Sequence, residues 1–249
     1  MSKIYIVGTP IGNLHDITLR ALETLRTADI IACEDTRVTK KLLDKYQIKD
    51  KRLITYNAFT ELYTAKELVD IVEDLKLKVA VVSDAGMPVV SDPGFGIINL
   101  ARERGIEVEI IPGVSASITA FTGANFSSQF TFLGFIKDKT EQRKNDLKQS
   151  IVLQNHTYIY FVSPHKLLGT LEDIHEVFGD EIKVCLAKEL TKIHEEWLFD
   201  SPSKLIEQFK SKQSIKGEFT MCLMIPKVKR EKINKYEKFS KIKEMIEAS

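Results

Sequence analysis

Short, uninterrupted apolar runs recur along the first part of the chain, at Ile4–Val7, Ile30–Ala32, Leu53–Tyr56, Val79–Val82 and Val108–Ile111. Runs of this length without polar alternation are what the strands of a parallel sheet look like when both faces are covered. The stretches between them carry helical periodicity. Over Thr60–Lys76, residues Leu62, Ala65, Val69, Val72 and Leu75 fall three and four positions apart, which predicts one inward stripe on a helix. Asp16 stands where a helix N-cap is needed, ahead of inward-facing Ile17, Ala21, Leu22 and Leu25. Strand alternating with helix as far as Ile111 predicts an α/β fold with a mainly parallel sheet.

Pro112-Gly113-Val114-Ser115-Ala116 then breaks the pattern as a turn rich in small residues, and a helix is predicted over Ala116–Gly123. In the second half, strands are predicted at Phe130–Phe135, Tyr158–Val162, Lys183–Ala187, Trp197–Asp200 and Phe219–Ile225. Helices are predicted at about Gln142–Leu153, Pro164–Phe178 and Ser203–Lys212. Trp197–Asp200 follows the preceding strand too closely for a crossover helix, which predicts a hairpin and a mixed sheet. The expected organisation is an N-terminal α/β domain over residues 1–112, a C-terminal α/β domain over 113–228, and a basic tail over 229–249. A ligand cleft is expected between the domains. The stretch from Pro226 on carries eight Lys/Arg against four Asp/Glu, which suits either a solvated helix or a nucleic-acid arm.

Composition narrows the function classes. The 36 Lys+Arg against 35 Asp+Glu give a net charge of +1, and 43% of the 249 residues are apolar. That balance excludes both a uniformly basic nucleic-acid coat and an acidic disordered chain. Cys33, Cys185 and Cys222 are far apart in apolar surroundings, as reduced core thiols would be, and the five histidines form no metal-binding spacing. No metal site is expected. No apolar run approaches the roughly 20 residues that span a bilayer, and Met1-Ser2-Lys3 leads straight into a strand, so a soluble cytoplasmic protein is expected.

In parallel sheets ligands gather beyond the carboxyl ends of strands. Three loops there are unusual: Gly8-Thr9-Pro10-Ile11-Gly12-Asn13 after the first strand, Glu34-Asp35-Thr36-Arg37 after the second, and Ser83-Asp84-Ala85-Gly86-Met87-Pro88, continuing to Ser91-Asp92-Pro93-Gly94, after the fourth. None is a phosphate cradle: GxxxxGK[ST] and GxGxxG are absent, and Pro10 removes a backbone donor. The loops present carboxylates instead, at Glu34, Asp35, Asp84 and Asp92. These suit a ligand with hydroxyls, an ammonium and positive charge but no phosphate, a profile that S-adenosylmethionine fits. Ordinary turn formation by the same residues stays open.

In order along the chain, Thr9-Pro10-Ile11-Gly12-Asn13-Leu14, Asp16-Ile17-Thr18, Glu34-Asp35-Thr36-Arg37, Ser83-Asp84-Ala85-Gly86, Asp92-Pro93-Gly94 and Pro112-Gly113-x-Ser115-Ala116 closely resemble the ribosomal RNA small subunit methyltransferase I family, in the tetrapyrrole-methylase-like class. Ala187-Lys188-Glu189-Leu190-Thr191-Lys192 and Lys216-Gly217-Glu218-Phe219 extend the resemblance, which covers about residues 4–226. It implies a two-domain tetrapyrrole-methylase-like fold with S-adenosylmethionine in the interdomain cleft. It further implies a homodimer and 2′-O-methylation of a cytidine in the decoding region of 16S rRNA in the small ribosomal subunit. A methyltransferase of this fold acting on a small molecule, or a homologue that binds cofactor without turnover, are the alternatives. Met87, Ile136-Lys137, Val162, Lys166 and Tyr56-Asn57-Ala58-Phe59 depart from the family pattern.

Carried over residue by residue, the resemblance sets the cofactor against Pro10, Ser83, Asp84, Ala85, Gly86, Pro88, Asp92, Ser115, Ala116, Phe161, Leu190, Gly217 and Thr220. Glu34, Asp35 and Glu189 are the candidates for accepting the ribose proton. Asn13, Arg37, Arg143, Lys144 and Lys216 are candidates for holding RNA, Arg143 and Lys144 within a basic stretch from Lys137 to Lys148. Each has a plainer reading: Asp84 in an Asx-turn, Asp35 as a helix cap, Arg37 paired with Asp35, Glu189 paired with Lys188 or Lys192, and the basic stretch as an ordinary exposed helix. Phe121 and Phe135 suit core packing or base stacking, His15 a solvent-facing loop position, and His165 a helix start.

Overall fold

A computed structural model describes residues 3–227; the basic tail over 229–249 lies outside the described residues. Strands β1 (Ile4–Val7), β2 (Ile30–Cys33), β3 (Arg52–Thr55), β4 (Val79–Val82) and β5 (Val108–Ile111) form an all-parallel sheet in the order β3-β2-β4-β1-β5. The central strands are buried on both faces, which is why their sequences read as unbroken apolar runs. Helices α1 (Leu19–Thr27) and α2 (Thr36–Lys45) cover one face, with Leu22, Leu25, Leu42 and Leu43 packed on Ile31 and Val82. Helices α3 (Glu61–Leu75) and α4 (Phe95–Glu103) cover the other.

Two local expectations are corrected. Asp16 ends a single 3₁₀ turn, Leu14–Asp16, and α1 is capped instead by Thr18, whose hydroxyl accepts the N–H of Ala21 at 3.1 Å. In α3, Ala65, Val69 and Val72 are buried as predicted, but Leu62 and Leu75 are exposed and Leu68 takes the missing place in the stripe. The helix shows only its middle to the sheet, so apolar residues at its ends face solvent.

After α5 (Ala116–Ala124) comes a second sheet of β6 (Phe130–Phe135), β7 (Thr157–Val162), β8 (Lys183–Lys188), β9 (Glu196–Asp200) and β10 (Phe219–Met224), ordered β6-β7-β10-β8-β9. Only β6 and β7 are parallel; the predicted hairpin is the antiparallel β8–β9 pair, and the sheet is mixed. Helices α6 (Thr140–Ser150), α7 (Pro164–Phe178) and α8 (Pro202–Lys210) share a core with one face. On the other face lie α5 together with Ile11 and Leu190, so a residue of the β1 loop belongs to the core of the second sheet. All three cysteines are free and buried. Among the described residues no helix is long and apolar enough to cross a membrane.

The second sheet also overturns the predicted RNA contact of Arg143. Its side chain is 5% exposed; the guanidinium donates from Nε to Asp173 Oδ2 at 2.6 Å and from Nη1 to the carbonyls of Lys137 and Asp138, both at 3.1 Å. Lys144 is turned onto Glu176 at 2.7 Å, and Lys166 pairs with Asp138. Arg143 and Lys144 thus knit α6 to α7, and among the cations of this stretch only Lys137, Lys139 and Lys148 are exposed and in no salt bridge among the described residues. Breaking a buried ion pair strands a charge. Arg143→Ala is therefore expected to lower stability by about 3–5 kcal/mol in denaturant titrations, against about 1 kcal/mol or less for Lys144→Ala, whose partner faces water.

Candidate active site

In the first sheet the chain leaves β1 into α1 on one face and leaves β4 into α4 on the other, so the loops after these adjacent strands part to opposite faces and open a crevice between them. Backbone spacing shapes that crevice. Thr9 and Gly86 bridge the two loops, with Thr9 N to Gly86 O at 2.8 Å and Gly86 N to Thr9 O at 3.1 Å, and the Thr9 hydroxyl donates to the carbonyl of Ser83 at 3.1 Å. Gly8 lies so close to Gly113 that a Cβ would come within 2.7 Å of the Gly113 Cα, and one on Gly12 would come within 2.9 Å of the Leu190 carbonyl. Asn13 N donates to Thr191 Oγ1 at 2.9 Å. The β1 loop thus runs between the two sheets, touching backbone on both sides.

The β4 loop is held in a strained form. Val89 and Ser91 take φ of 76° and 69°, a left-handed backbone that a β-branched residue rarely adopts. Two contacts over-determine it: Val89 N donates to Pro93 O at 3.2 Å, and the Glu61 carboxylate from α3 accepts the N–H groups of Gly94 and Gly96, each at 3.0 Å. Glu61 was invisible as a site residue in the sequence, since nothing local to it signals a partner more than thirty residues on.

Between the sheets lies a cavity of about 350 Å³. The first half contributes Ile11, Asp84, Ala85, Gly86, Met87, Val90, Ser91, Asp92, Ser115 and Ala116 to its wall; the second contributes Phe135, Phe161–Pro164, Ala187, Leu190 and Glu218–Thr220. Asp84, Ala85, Gly86, Asp92, Ser115, Ala116, Phe161, Leu190 and Thr220 were expected there from the sequence. Pro10, Ser83, Pro88 and Gly217 stand outside the wall, where they shape the loops: the Ser83 hydroxyl donates to Gly86 O at 3.3 Å, and Gly217, at φ 101°, presses on Glu189. Phe135 comes as an addition. One extra residue in β6, between Phe132 and Phe135 with Gly134 at φ 72°, turns its ring out of the sheet to within 5.4 Å of the Phe161 ring. Met87 and Val162, both departures from the family pattern, are wall residues too.

No Lys, Arg or His lines the cavity, whereas carboxylates do. Asp84 accepts the N–H of Asp35 at 2.9 Å; burial raises its pKa, and the Asp35 charge adds to the rise. Burial likewise raises Glu34, helped by Asp84 and Asp35. Asp92 is pushed up to about 7 by burial, then by Glu34 and Asp84. Three mutually repelling, partly dehydrated acids make a region that favours a cation. Asp35 behaves oppositely. It caps α2 and is gripped by Arg37, with contacts of 2.6–3.1 Å that hold its carboxyl down at about 2. Glu189 stands outside the wall; burial raises its pKa, but the N–H of Glu218 at 2.9 Å and Lys192 at 3.0 Å outweigh that and hold it below the usual range. Neither of these two carboxylates is free to take a proton. Asn13 caps the 3₁₀ turn through its side chain, while Arg37 and Lys216 remain exposed. Among the described residues no group of three or more His, Cys, Asp or Glu is placed to hold a metal ion.

Residues 3–204 match the family model for tetrapyrrole (corrin/porphyrin) methylases. The chain is 46% identical over 241 residues to the ribosomal RNA small subunit methyltransferase I of Mesomycoplasma conjunctivae, covering 97% of this chain and 99% of that one. To the protein of the same name in Mycoplasmopsis pulmonis it is 51% identical, over 90% of this chain and 99% of the relative. Among solved structures, a diphthine synthase superposes with a TM-score of 0.67 at 16% identity, covering 90% of each chain. A uroporphyrin-III-C-methyltransferase from Thermus thermophilus superposes with a TM-score of 0.63 at 19% identity, over 90% of this chain and 94% of the other. At those identities the two structures attest the fold.

The cavity acids carry a stability signature. The Asp92 carboxyl keeps its proton in the folded protein up to about pH 7, whereas in the unfolded chain it ionises near 3.8, so folding loses stability as pH rises through that window. Discounted for solvent screening, the loss is on the order of 1 kcal/mol. Asp92→Asn, which mimics the protonated form, should raise the melting temperature by about 2–4 °C at pH 7.5. Thermal melts at pH 4 should show no difference.

Proposed function

The chain belongs to the ribosomal RNA small subunit methyltransferase I family, and from that premise we propose that it methylates the ribose 2′-oxygen of a cytidine in the decoding region of 16S rRNA, using S-adenosylmethionine. The observation that supports this most directly is the cavity itself: carboxylates with raised pKa, no cationic side chain, and an apolar wall. Such a wall fits a ligand with an aromatic base, ribose hydroxyls and positive charge, and repels a nucleoside phosphate. Asp84 and Asp92 would hold the polar and charged parts, and Ile11, Met87, Phe161 and Leu190 the aromatic part.

When bound, S-adenosylmethionine supplies an electrophilic methyl group and leaves as a neutral thioether. The protein's part is positioning and proton handling. Asp92 lines the cavity with its carboxyl pushed up to about 7, and a carboxylate whose pKa lies near the working pH accepts a hydroxyl proton best; Glu34 stands outside the wall and acts on Asp92 through its charge. The apolar residues that both sheets give the wall would leave a ribose bound against them with fewer competing waters. Arg37, Asn13 and Lys216, which stand outside the cavity wall, are assigned to the RNA backbone. The proposal includes the division into lobes at residues 1–112 and 113–228, a homodimer, the assembled small subunit as substrate, and a cytoplasmic setting.

The test is to incubate small ribosomal subunits with the protein and isotopically labelled methyl donor, then digest the RNA to nucleosides for mass spectrometry. Label is expected in the ribose of one cytidine; label on a base, or transfer only to a tetrapyrrole or other small molecule, overturns the proposal. Calorimetry with the same donor should show Asp84→Ala binding about 10–100-fold more weakly, the loss of a charge-assisted contact.

A further inference from the structure

With Arg143 and Lys144 of α6 tied to acids, the densest run of exposed cations in no salt bridge among the described residues near the cavity lies on α2. This helix packs inward through Thr39, Leu42 and Leu43. Its opposite face, at positions three and four apart, carries Arg37, Lys40, Lys41, Asp44 and Lys45, all exposed. Among the described residues Lys40, Lys41 and Lys45 take part in no salt bridge, in contrast to Arg143, Lys144 and Lys166. The helix also starts at the reaction chamber. Asp35 caps it, and the Asp35 N–H donates to Asp84, a wall residue of the cavity. Tyr46, at its far end, donates its hydroxyl to Leu14 O at 2.6 Å and ties the helix to the β1 loop, so the face is rigidly aimed.

We infer that the outward face of α2, bearing Arg37, Lys40, Lys41 and Lys45, is the surface along which the phosphates of the substrate RNA lie as the target ribose enters the cavity. This rests on the RNA-methylation reading above and goes beyond it by naming the recognition surface. The electrostatics are divided by function. Acids inside the cavity repel phosphate and favour the positively charged donor, while cations begin at its rim and lead away from it. From Arg37 to Lys45 the helix rises about 12 Å, which spans about four phosphates at the roughly 3.4 Å axial spacing of one nucleic-acid strand. A chain with net charge of only +1 cannot bind RNA strongly through its overall charge, so affinity has to come from a local concentration of unpaired cations of this kind.

The experiment compares the wild-type protein with the triple variant Lys40→Gln/Lys41→Gln/Lys45→Gln. Each is titrated with small-subunit RNA over a series of salt concentrations and assayed for methyl transfer. Removing three phosphate contacts should raise KM for RNA about tenfold or more at low salt. It should also reduce the slope of log affinity against log salt by about 2–3. The kcat, melting temperature and calorimetric affinity for S-adenosylmethionine should stay at wild-type values. Replacing the same three residues by Arg should restore the slope. As a control, Lys204→Gln/Lys210→Gln, whose ammonium groups already pair with Asp200 and Glu172, should leave the slope unchanged. An unchanged slope and KM in the triple variant, with a wild-type protein that methylates RNA, overturns the inference alone. A wild-type protein that binds the donor but methylates no RNA overturns the underlying reading, and this inference with it.

Discussion

The geometry of the whole cavity depends on how closely backbone can approach backbone around the β1 loop. At Gly8 the neighbour is Gly113, and at Gly12 it is the Leu190–Lys192 segment of the other half; a single Cβ at either place would be driven to within 3 Å of main-chain atoms. Sealed in this way, the loop shares Ile11 with the core of the second sheet and Thr9 with the β4 loop. Every wall of the cavity is referenced to this one segment, so the distances among Asp84, Asp92 and the apolar residues opposite follow from it.

Upon that frame the carboxylates are arranged for opposite purposes. Asp35 and Glu189 are neutralised by cations and hydrogen-bond donors, and they organise structure: a helix start in one case, the packing of the Gly217 turn in the other. Asp84, Glu34 and Asp92 are given few donors and partial burial, and their energy is raised in a way that a cationic ligand relieves. The strained backbone at Val89 and Ser91 belongs to the same economy. Glu61 reaches across from α3 to stabilise a conformation that holds Asp92 at the cavity wall.

Much of the fold could be read from the chain because the parallel strands are buried on both faces and leave unmistakable apolar runs. The β8–β9 hairpin was legible too, from the shortness of its connection. What failed was local: Asp16 and Thr18 are both good caps by residue type, and only the 3₁₀ turn at Leu14 decides between them. For the site, the loop residues around Asp84 and Ser115 were visible because they cluster at strand ends. Phe135 was ambiguous, since its orientation depends on a bulge that no short pattern encodes. Arg143 misled for a physical reason: its burial is set by Asp173, thirty residues away on α7. Charge along a sequence shows where cations are abundant, but not which of them have found an acid.

The order of strands in the second sheet has a consequence for how the protein comes into being. Its central strand, β10, is the last in sequence of the ten strands among the described residues, and it alone joins β7 to β8. The parallel sheet has all its strands by residue 111 and can assemble during synthesis. The opposite wall, with Phe219 and Thr220, cannot close until β10 has been made. A chain that stops short of residue 218 therefore holds a chamber with one wall missing, its acids and the apolar residues opposite no longer facing a closed cavity.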